Sequence, residues 1–236
     1  MADAARTVRE AKVQSVFEHI AEGYDRANMR ISLFMQAHWK NHLIRMIADC
    51  VPYGCRFLDV CCGTGDIAAG VAAKRADLDI TGVDFSSAML RVAEQKHVTG
   101  NLHFQKGNAL ELPFENDRFR VSAISFGLRN TSDYKKAMQE MTRVTQRGGW
   151  VFCLDSMVPE KQWVLPFYKL YFRYIMPVLG GGRRYYREYQ WLNTSTEGFL
   201  KKEELKKLFA ETGCIQINTK SWLFGSCVLV WGRTAG

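Results

Sequence analysis

The stretch Phe57-Leu58-Asp59-Val60-Cys61-Cys62-Gly63-Thr64-Gly65-Asp66 decides how this chain is read. Leu58 and Val60 suit a buried parallel strand, and Gly63 and Gly65 allow the backbone to turn close to a ligand. Ile67-Ala68-Ala69-Gly70-Val71 then continues as an apolar helix. Strand, glycine turn and helix start together make a nucleotide-binding geometry. A dinucleotide loop places a third small residue three positions on, and Ala68 satisfies that rule, so spacing alone does not discriminate. The acids do. Asp59 and Asp66 bracket the loop, where they repel a pyrophosphate and attract a cation. S-adenosylmethionine (SAM) carries an ammonium and a sulfonium, so the loop is read as a SAM site, with NAD as the weaker alternative.

Asp79-Ile80-Thr81-Gly82-Val83-Asp84 reads as the next parallel strand, ending in a carboxylate 21 positions after Gly63. An acid at that point can accept both ribose hydroxyls. The competing reading is that Asp84 N-caps the helix beginning Ser86-Ser87-Ala88-Met89-Leu90. Paired with the glycine loop, Asp84 is read as the ribose ligand.

Beyond these two strands the alternation continues. Asn101–Gln105 reads as a strand followed by the loop Gly107-Asn108-Ala109 to Phe114, and Phe119–Phe126 as another strand running into Gly127-Leu128-Arg129-Asn130. Residues 133–146 carry helical spacing, with Arg147-Gly148-Gly149 as the stop, and Trp150–Asp155 reads as a fifth strand. Such alternation predicts a doubly wound, mostly parallel α/β sheet with its ligand beyond the carboxyl ends of the strands. Residues 157–198, rich in aromatics and arginine, read as an inserted helical cover. After a helix near Leu205, Leu208 and Phe209, Ile215–Ile217 and Cys227–Trp231 read as a terminal antiparallel pair. The whole, residues 1–236, is expected to be one domain with an N-terminal helical cap over about residues 1–50.

Composition sets further bounds. An apolar content of 47% is ordinary for a globular protein, and no apolar run reaches the roughly 20 residues that span a bilayer. The N-terminus lacks a signal-peptide core, and Arg6, Arg9 and Lys12 fit a helix leading into Val13, Val16, Phe17 and Ile20. Seven cysteines, mostly in apolar contexts, suit a reducing, cytoplasmic setting. The adjacent pair Cys61-Cys62 lacks metal-ligand spacing, so no metal is expected. The net charge of +8 includes a concentration at Lys161, Lys169, Arg173, Arg183, Arg184 and Arg187. No recognised RNA module or lysine/arginine tract accompanies it, so no nucleic-acid partner is expected. Phe167, Leu170, Tyr171, Tyr174 and Val178 fall at helical spacing, for which core packing is the default, with Lys169 and Arg173 on the other face. The same pattern also describes a helix lying on a membrane surface, which would put the protein at the inner face of the membrane. Gly180 to Gly182 would hinge the cover.

The loop Asp59–Gly65, the segment Gly107-Asn108-Ala109 to Pro113-Phe114 and above all Phe126-Gly127-Leu128-Arg129-Asn130 resemble the quinone-ring C-methyltransferases of ubiquinone and menaquinone biosynthesis. Val16-Phe17, Ile20-Ala21, Tyr24-Asp25, Asn28, Ser32 and Trp39-Lys40 are similar to that family as well. The resemblance spans nearly the whole chain and implies a Rossmann-like class I methyltransferase fold, SAM as methyl donor and a prenylated hydroquinone as acceptor, with a homodimer among the assemblies it allows. The chain departs from the family at Gln36 (usually His), Met29 (usually Asp), Gly180 to Tyr186, Trp191 (usually Tyr), Phe224-Gly225-Ser226-Cys227, and Trp231 (usually His). Tyr189, Leu192, Ser195 and Phe199 keep the pattern. Because the departures fall where an acceptor would bind, a methyltransferase of specialised metabolism acting on another aromatic or heterocyclic molecule stays open as the alternative.

The resemblance also implies roles. Asp59, Gly63 and Gly65, with Cys61 and Thr64, would hold the amino-acid end of SAM. Asp84 would hold the ribose beside Phe85 and Met89, and Asn108 and Ala109 would meet the adenine, with Ser125 also on the donor side. Asn108 also suits a plain turn. Arg129, always charged, suits a developing phenolate and is a poor base; its simpler reading is an ion pair with Asp133. Tyr24 could hydrogen-bond the ring oxygens and Asn130 orient the loop. Asp155 reads equally as proton acceptor or strand-end residue.

Overall fold

The computed structural model describes residues 2–181 and 185–236, leaving aside the side chains of residues 2–9, 177, 180 and 181. Three helices come first: α1 (Ala2–Ile20), α2 (Tyr24–Ile31) and α3 (Met35–Cys50). The sheet then begins with β1 (Arg56–Val60), α4 (Asp66–Ala72), β2 (Asp79–Asp84), α5 (Ser87–Lys96), β3 (Leu102–Lys106), β4 (Phe119–Ser125), α6 (Tyr134–Val144) and β5 (Thr145–Ser156). The cover is α7 (Leu165–Leu170), a π-helical turn over Tyr171–Ile175, α8 (Met176–Gly181) and α9 (Tyr186–Glu197). The chain closes with α10 (Lys202–Glu211), β6 (Cys214–Trp222) and β7 (Cys227–Thr234).

The seven strands lie in the order β3-β2-β1-β4-β5-β7-β6. Strands β1 to β5 pair in parallel, and β7 enters antiparallel between β5 and β6. Alternation along each buried strand feeds two cores. Leu58, Val60, Ile124, Val151 and Cys153 face α6 and α10. Phe57, Ile80, Val121, Phe152 and Leu154 face α3 and α4. On α6, Ala137, Met138, Met141 and Val144 are fully buried at spacings of one, three and three, the stripe a sheet-packed helix requires. A third apolar cluster joins Val16, Ile20 and Ala27 of the N-terminal helices to Met176, Tyr189 and Leu192 of the cover.

Strand order reverses between β1 and β4, since the chain runs outward through β2 and β3 before returning to β4. The glycine loop after β1 and the Phe126–Asn130 turn after β4 therefore meet at the reversal, where such sheets open a ligand crevice. Both strands end in a left-handed non-glycine residue, Cys61 at φ +54° and Phe126 at φ +55°. Gly127 lets the turns approach: a Cβ there would lie 2.6 Å from the Cys61 Cβ.

Three expectations change, and one competing reading is removed. The helix over residues 133–146 ends at Val144, and Arg147-Gly148-Gly149 lies inside β5, where the register slips and Gly148 adopts φ +65°. Helix α5 is capped by Ser86, whose hydroxyl accepts from the Met89 N–H, so Asp84 is not its cap. Gly180 and Gly181 close α8 rather than forming a hinge, and Gly182, Arg183 and Arg184 lie outside the described residues. Most of the cover stripe is not core: Phe167 is 71% exposed, and Leu170, Tyr174 and Val178 are exposed too, while Tyr171 alone of the five packs inward against the third cluster. In α7 and α8 the residues buried among those described are Tyr168 and Met176, while Tyr171 and Phe172 of the intervening turn are half-buried against the third cluster. Among the described residues no helix is long and apolar enough to cross a membrane.

The contact between the two turns makes a test. Gly127→Ala is expected to lower the melting temperature, while Cys61→Gly, which removes both the obstructing Cβ and a left-handed non-glycine residue costing about 1–2 kcal/mol, is neutral or stabilising. The double variant is expected to regain most of the loss, a non-additivity measurable in a thermal-melt mutant cycle.

Candidate active site

Two cavities flank Phe126. The first sits over the strand reversal. Its floor is the glycine loop, with Asp59, Cys61, Gly63 and Thr64. One wall carries Asp84, Phe85 and Met89, and the other Asn108, Ala109, Ser125 and Asn130. Gly65 does not line the space but shapes it: at φ +82° it starts α4, and a Cβ there would lie 2.7 Å from the Phe104 ring. The N-terminal helices form the lid, contributing Glu10, Phe17, Tyr24 and Lys40.

Polar contacts fasten this lid. Glu18 accepts from the Ser86 hydroxyl and from the Ala88 N–H at the start of α5. The Thr64 hydroxyl donates to Asp25 over 2.7 Å. Lys96 bridges Asp25 and Asp66, and Lys40 reaches Asp66 from α3 at 3.0 Å.

The cleft is acidic by construction. Asp59 accepts the Ala68 N–H and is buried; burial pushes its carboxyl up to about 7, against the pull of that hydrogen bond and of Lys40. Asp84 accepts from the N–H groups of Gly63 at 2.8 Å and Ser86 at 2.9 Å, yet burial raises it to about 6. Burial works against Asp66 as well, but the Lys40 and Lys96 ammonium groups outweigh it and hold its pKa below the ordinary value. Tyr24 is raised by burial, with Arg129 and Lys40 opposing. Burial also raises the Cys61 and Cys62 thiols well above their ordinary value, leaving two inert spacers at the loop. Among the described residues no His/Cys/Asp/Glu group could hold a metal.

The second cavity, of about 360 Å³, lies on the other side of Phe126. Ile31, Trp39, Tyr168, Phe172, Tyr189 and Leu192 make it apolar, and Arg129 and Gln36 are among its polar groups. Arg129 is held hard. Its guanidinium donates to Asp155 and, at 3.0 Å, to the Phe126 carbonyl, and its backbone N–H donates to the other Asp155 oxygen. Burial weighs against the Arg129 charge, but Asp155 overrides it and raises the pKa. Asn130 braces the same turn, donating to the Phe126 carbonyl and accepting from Ser195 of α9.

The expected donor residues thus surround one space, but several contacts differ from expectation. Asp59 is engaged by Ala68 beneath the loop. The Asn108 side-chain oxygen accepts from the Leu110 N–H, making the turn, while the residue still lines the cleft. Arg129 pairs with Asp155 and not with Asp133, which caps α6 through the Lys136 N–H. Asp155 is fully buried, lines neither cavity and has both oxygens engaged, which removes it as a direct proton acceptor. Tyr24 and Asn130 face the first cavity and Arg129 the second. Of the departures, Gln36, Phe224 and Ser226 line the second cavity, whereas Trp231 packs on the far core. Tyr168 and Trp39 carry no predicted role, yet both line the second cavity and both hold a buried polar atom without a hydrogen-bond partner among the described residues. Nothing local marks either residue, because the cover and α3 meet only in three dimensions.

A profile of the ubiE/COQ5 methyltransferase family matches residues 5–234. The chain belongs to that family. It is a SAM-dependent methyltransferase. It is 39% identical over 229 residues to a demethylmenaquinone methyltransferase of Geobacillus kaustophilus, covering 95% of this chain and 97% of the relative. It is 38% identical to a protein of the same name from Staphylococcus haemolyticus, covering 95% and 94%. Among solved structures it shares its fold with a SAM-dependent methyltransferase of Thermotoga maritima at TM-score 0.65 and 18% identity, covering 93% and 99%. It also resembles a Haemonchus contortus phosphoethanolamine N-methyltransferase solved with SAM, at TM-score 0.62 and 16% identity, covering 84% and 52%. The first cavity of this methyltransferase suits that donor. Glycines clear its floor, acids line it where a cation would be welcome, and among the described residues the buried Ser125 hydroxyl has no hydrogen-bond partner.

The raised carboxyls predict a pH effect. Asp59 and Asp84 are easiest to bury protonated, so their contribution to stability is full below the ordinary pKa near 4 and is lost as pH climbs through about 6 and 7. A cationic ligand reverses the preference. The rise in melting temperature on adding SAM is therefore expected to be larger at pH 8 than at pH 5.5, and Asp84→Asn to flatten the difference, as read by scanning fluorimetry.

Proposed function

We propose that this methyltransferase methylates a ring carbon of a prenylated hydroquinone, demethylmenaquinol or a related ubiquinone precursor, taken from a membrane surface. One observation carries the reading: an apolar cavity beside the donor cleft holds a fixed guanidinium, Arg129, with the Phe126 ring as common wall. The names of the relatives support the acceptor class.

SAM supplies an electrophilic methyl group, whose bond to sulfur breaks as the ring carbon forms the new carbon–carbon bond. The protein contributes orientation and charge. Arg129 stabilises the phenolate that makes the ring nucleophilic, and its bond to Asp155 fixes the orientation of its guanidinium. Asp155 is a positioning residue. Tyr24, raised by burial and so kept as a neutral phenol, donates a hydrogen bond toward the ring oxygens. Asn130 holds the turn against α9. The ring proton leaves to water. The apolar lining admits the ring and the first part of a prenyl tail.

Support for delivery from a membrane comes from the cover. Trp163, Phe167, Leu170, Tyr174 and Val178 form an exposed apolar ridge. Leu33, Leu223 and Phe224, also exposed, rim the second cavity, and Phe224 packs edge-on against Trp163. Lys161, Lys169 and Arg173, all exposed, lie in the same stretch of chain, and exposed Arg187 lies in α9. Apolar residues flanked by cations suit insertion beside anionic headgroups.

The decisive experiment is incubation with SAM and short-tailed demethylmenaquinol, with the product analysed by mass spectrometry and NMR for a new ring methyl. Transfer only to oxygen or nitrogen, or only to unrelated phenols, sinks the proposal. Arg129→Lys, which keeps a charge for Asp155 but loses the planar fork, is expected to cut turnover about 100-fold with SAM affinity little changed. The protein is also expected to float with anionic vesicles at low salt. The double variant Phe167→Glu/Leu170→Glu should abolish flotation while preserving turnover of a short-tailed, water-soluble quinol.

A further inference from the structure

We infer that Lys40 is the anchor for the α-carboxylate of SAM, and that it makes the donor site selective for an intact amino-acid end. The inference rests on the donor-site reading above and deepens it.

Among the described residues lining the donor cleft, Lys40 is the one lysine or arginine, set against Glu10, Asp59, Asp66 and Asp84. The acids answer the ammonium and sulfonium of the donor. None of them answers its carboxylate, which such a wall would repel. Lys40 has the right charge and the right restraint. Its side chain is 16% exposed, and its Nζ donates to the Asp66 Oδ2 at 3.0 Å. An ammonium has three donors; that bond uses one, and among the described residues the Nζ has no other hydrogen-bond partner. Asp66, held in turn by Lys96, fixes the Nζ at the rim of the glycine loop. The adjoining acid and ammonium then offer complementary charges to the zwitterion, Asp66 to the ammonium and Lys40 to the carboxylate. The simpler role for Lys40 is to neutralise Asp66 and tie α3 to α4. The two roles part company when the ligand, rather than the protein, loses its carboxylate.

Calorimetry therefore uses three ligands: SAM, decarboxylated SAM, and methylthioadenosine, which lacks the amino-acid end. The wild-type protein is expected to prefer SAM over decarboxylated SAM by at least about tenfold, the size of one charged hydrogen bond. In Lys40→Met, SAM is expected to weaken about 10- to 100-fold, methylthioadenosine to stay within twofold, and decarboxylated SAM to hold or tighten, so the preference disappears. Lys40→Arg should restore most of it. A wild-type preference near one overturns the assignment whether or not the variant folds. So does a Lys40→Met protein that keeps its SAM affinity, or one in which methylthioadenosine weakens in step with SAM. Failure of all three ligands to bind the wild-type protein would instead bring down the donor-site reading itself.

Discussion

The buried ion pair between Arg129 and Asp155 is the constraint on which the rest of the site depends. Taking both charges out of water is expensive, and such a pair holds only when further hydrogen bonds satisfy it. Here they do. Asp155 also accepts the Arg129 and Ser156 N–H groups, and the guanidinium also reaches the Phe126 carbonyl. The pair thereby clamps the turn after β4 to the end of β5, which aims Phe126 between the cavities. It also leaves a fixed guanidinium in a largely apolar chamber, where a charge acts more strongly than in water. Structure and chemistry share the same bonds.

The donor cleft follows the opposite strategy. Asp59 and Asp84 are buried there, and burial makes both resist ionisation. A cleft of this kind is poised for a cationic guest. The lid contacts from Glu18, Asp25 and Lys40 place the N-terminal helices over it, so the shape of the cleft depends on segments remote in sequence.

What could be read from the sequence was local. The strand–glycine–helix passage at Phe57–Asp66, the acid at Asp84 and the alternation of strands and helices each depend on short-range chemistry, and they led to the right fold and donor. The Ser86 cap was hidden because Asp84 and Ser86 are both good capping residues two positions apart. The end of α6 was hidden because Gly148 serves equally as a helix stop and as a left-handed residue in a slipped strand. The cover misled most. A helical apolar stripe normally means core, yet Phe167 and Val178 face outward, since the buried faces of these short helices are carried by Tyr168 and Met176. The partners of Arg129 and the walls of the second cavity are tertiary facts, assembled from α2, α3, β5 and the cover, and no spacing rule reaches them.

Helix α3 deserves a last consequence. Lys40 lines one cavity, while Gln36 and Trp39, about a turn or less away, line the other. A single α-helix is stiff over that distance, so neither chamber can relax alone. Any difference in α3 between the empty and the filled form of one chamber would then be felt in the other, and linkage would make that effect equal in both directions. The helix would make this enzyme a small allosteric device within one subunit, in which filling either chamber tunes the affinity of its neighbour.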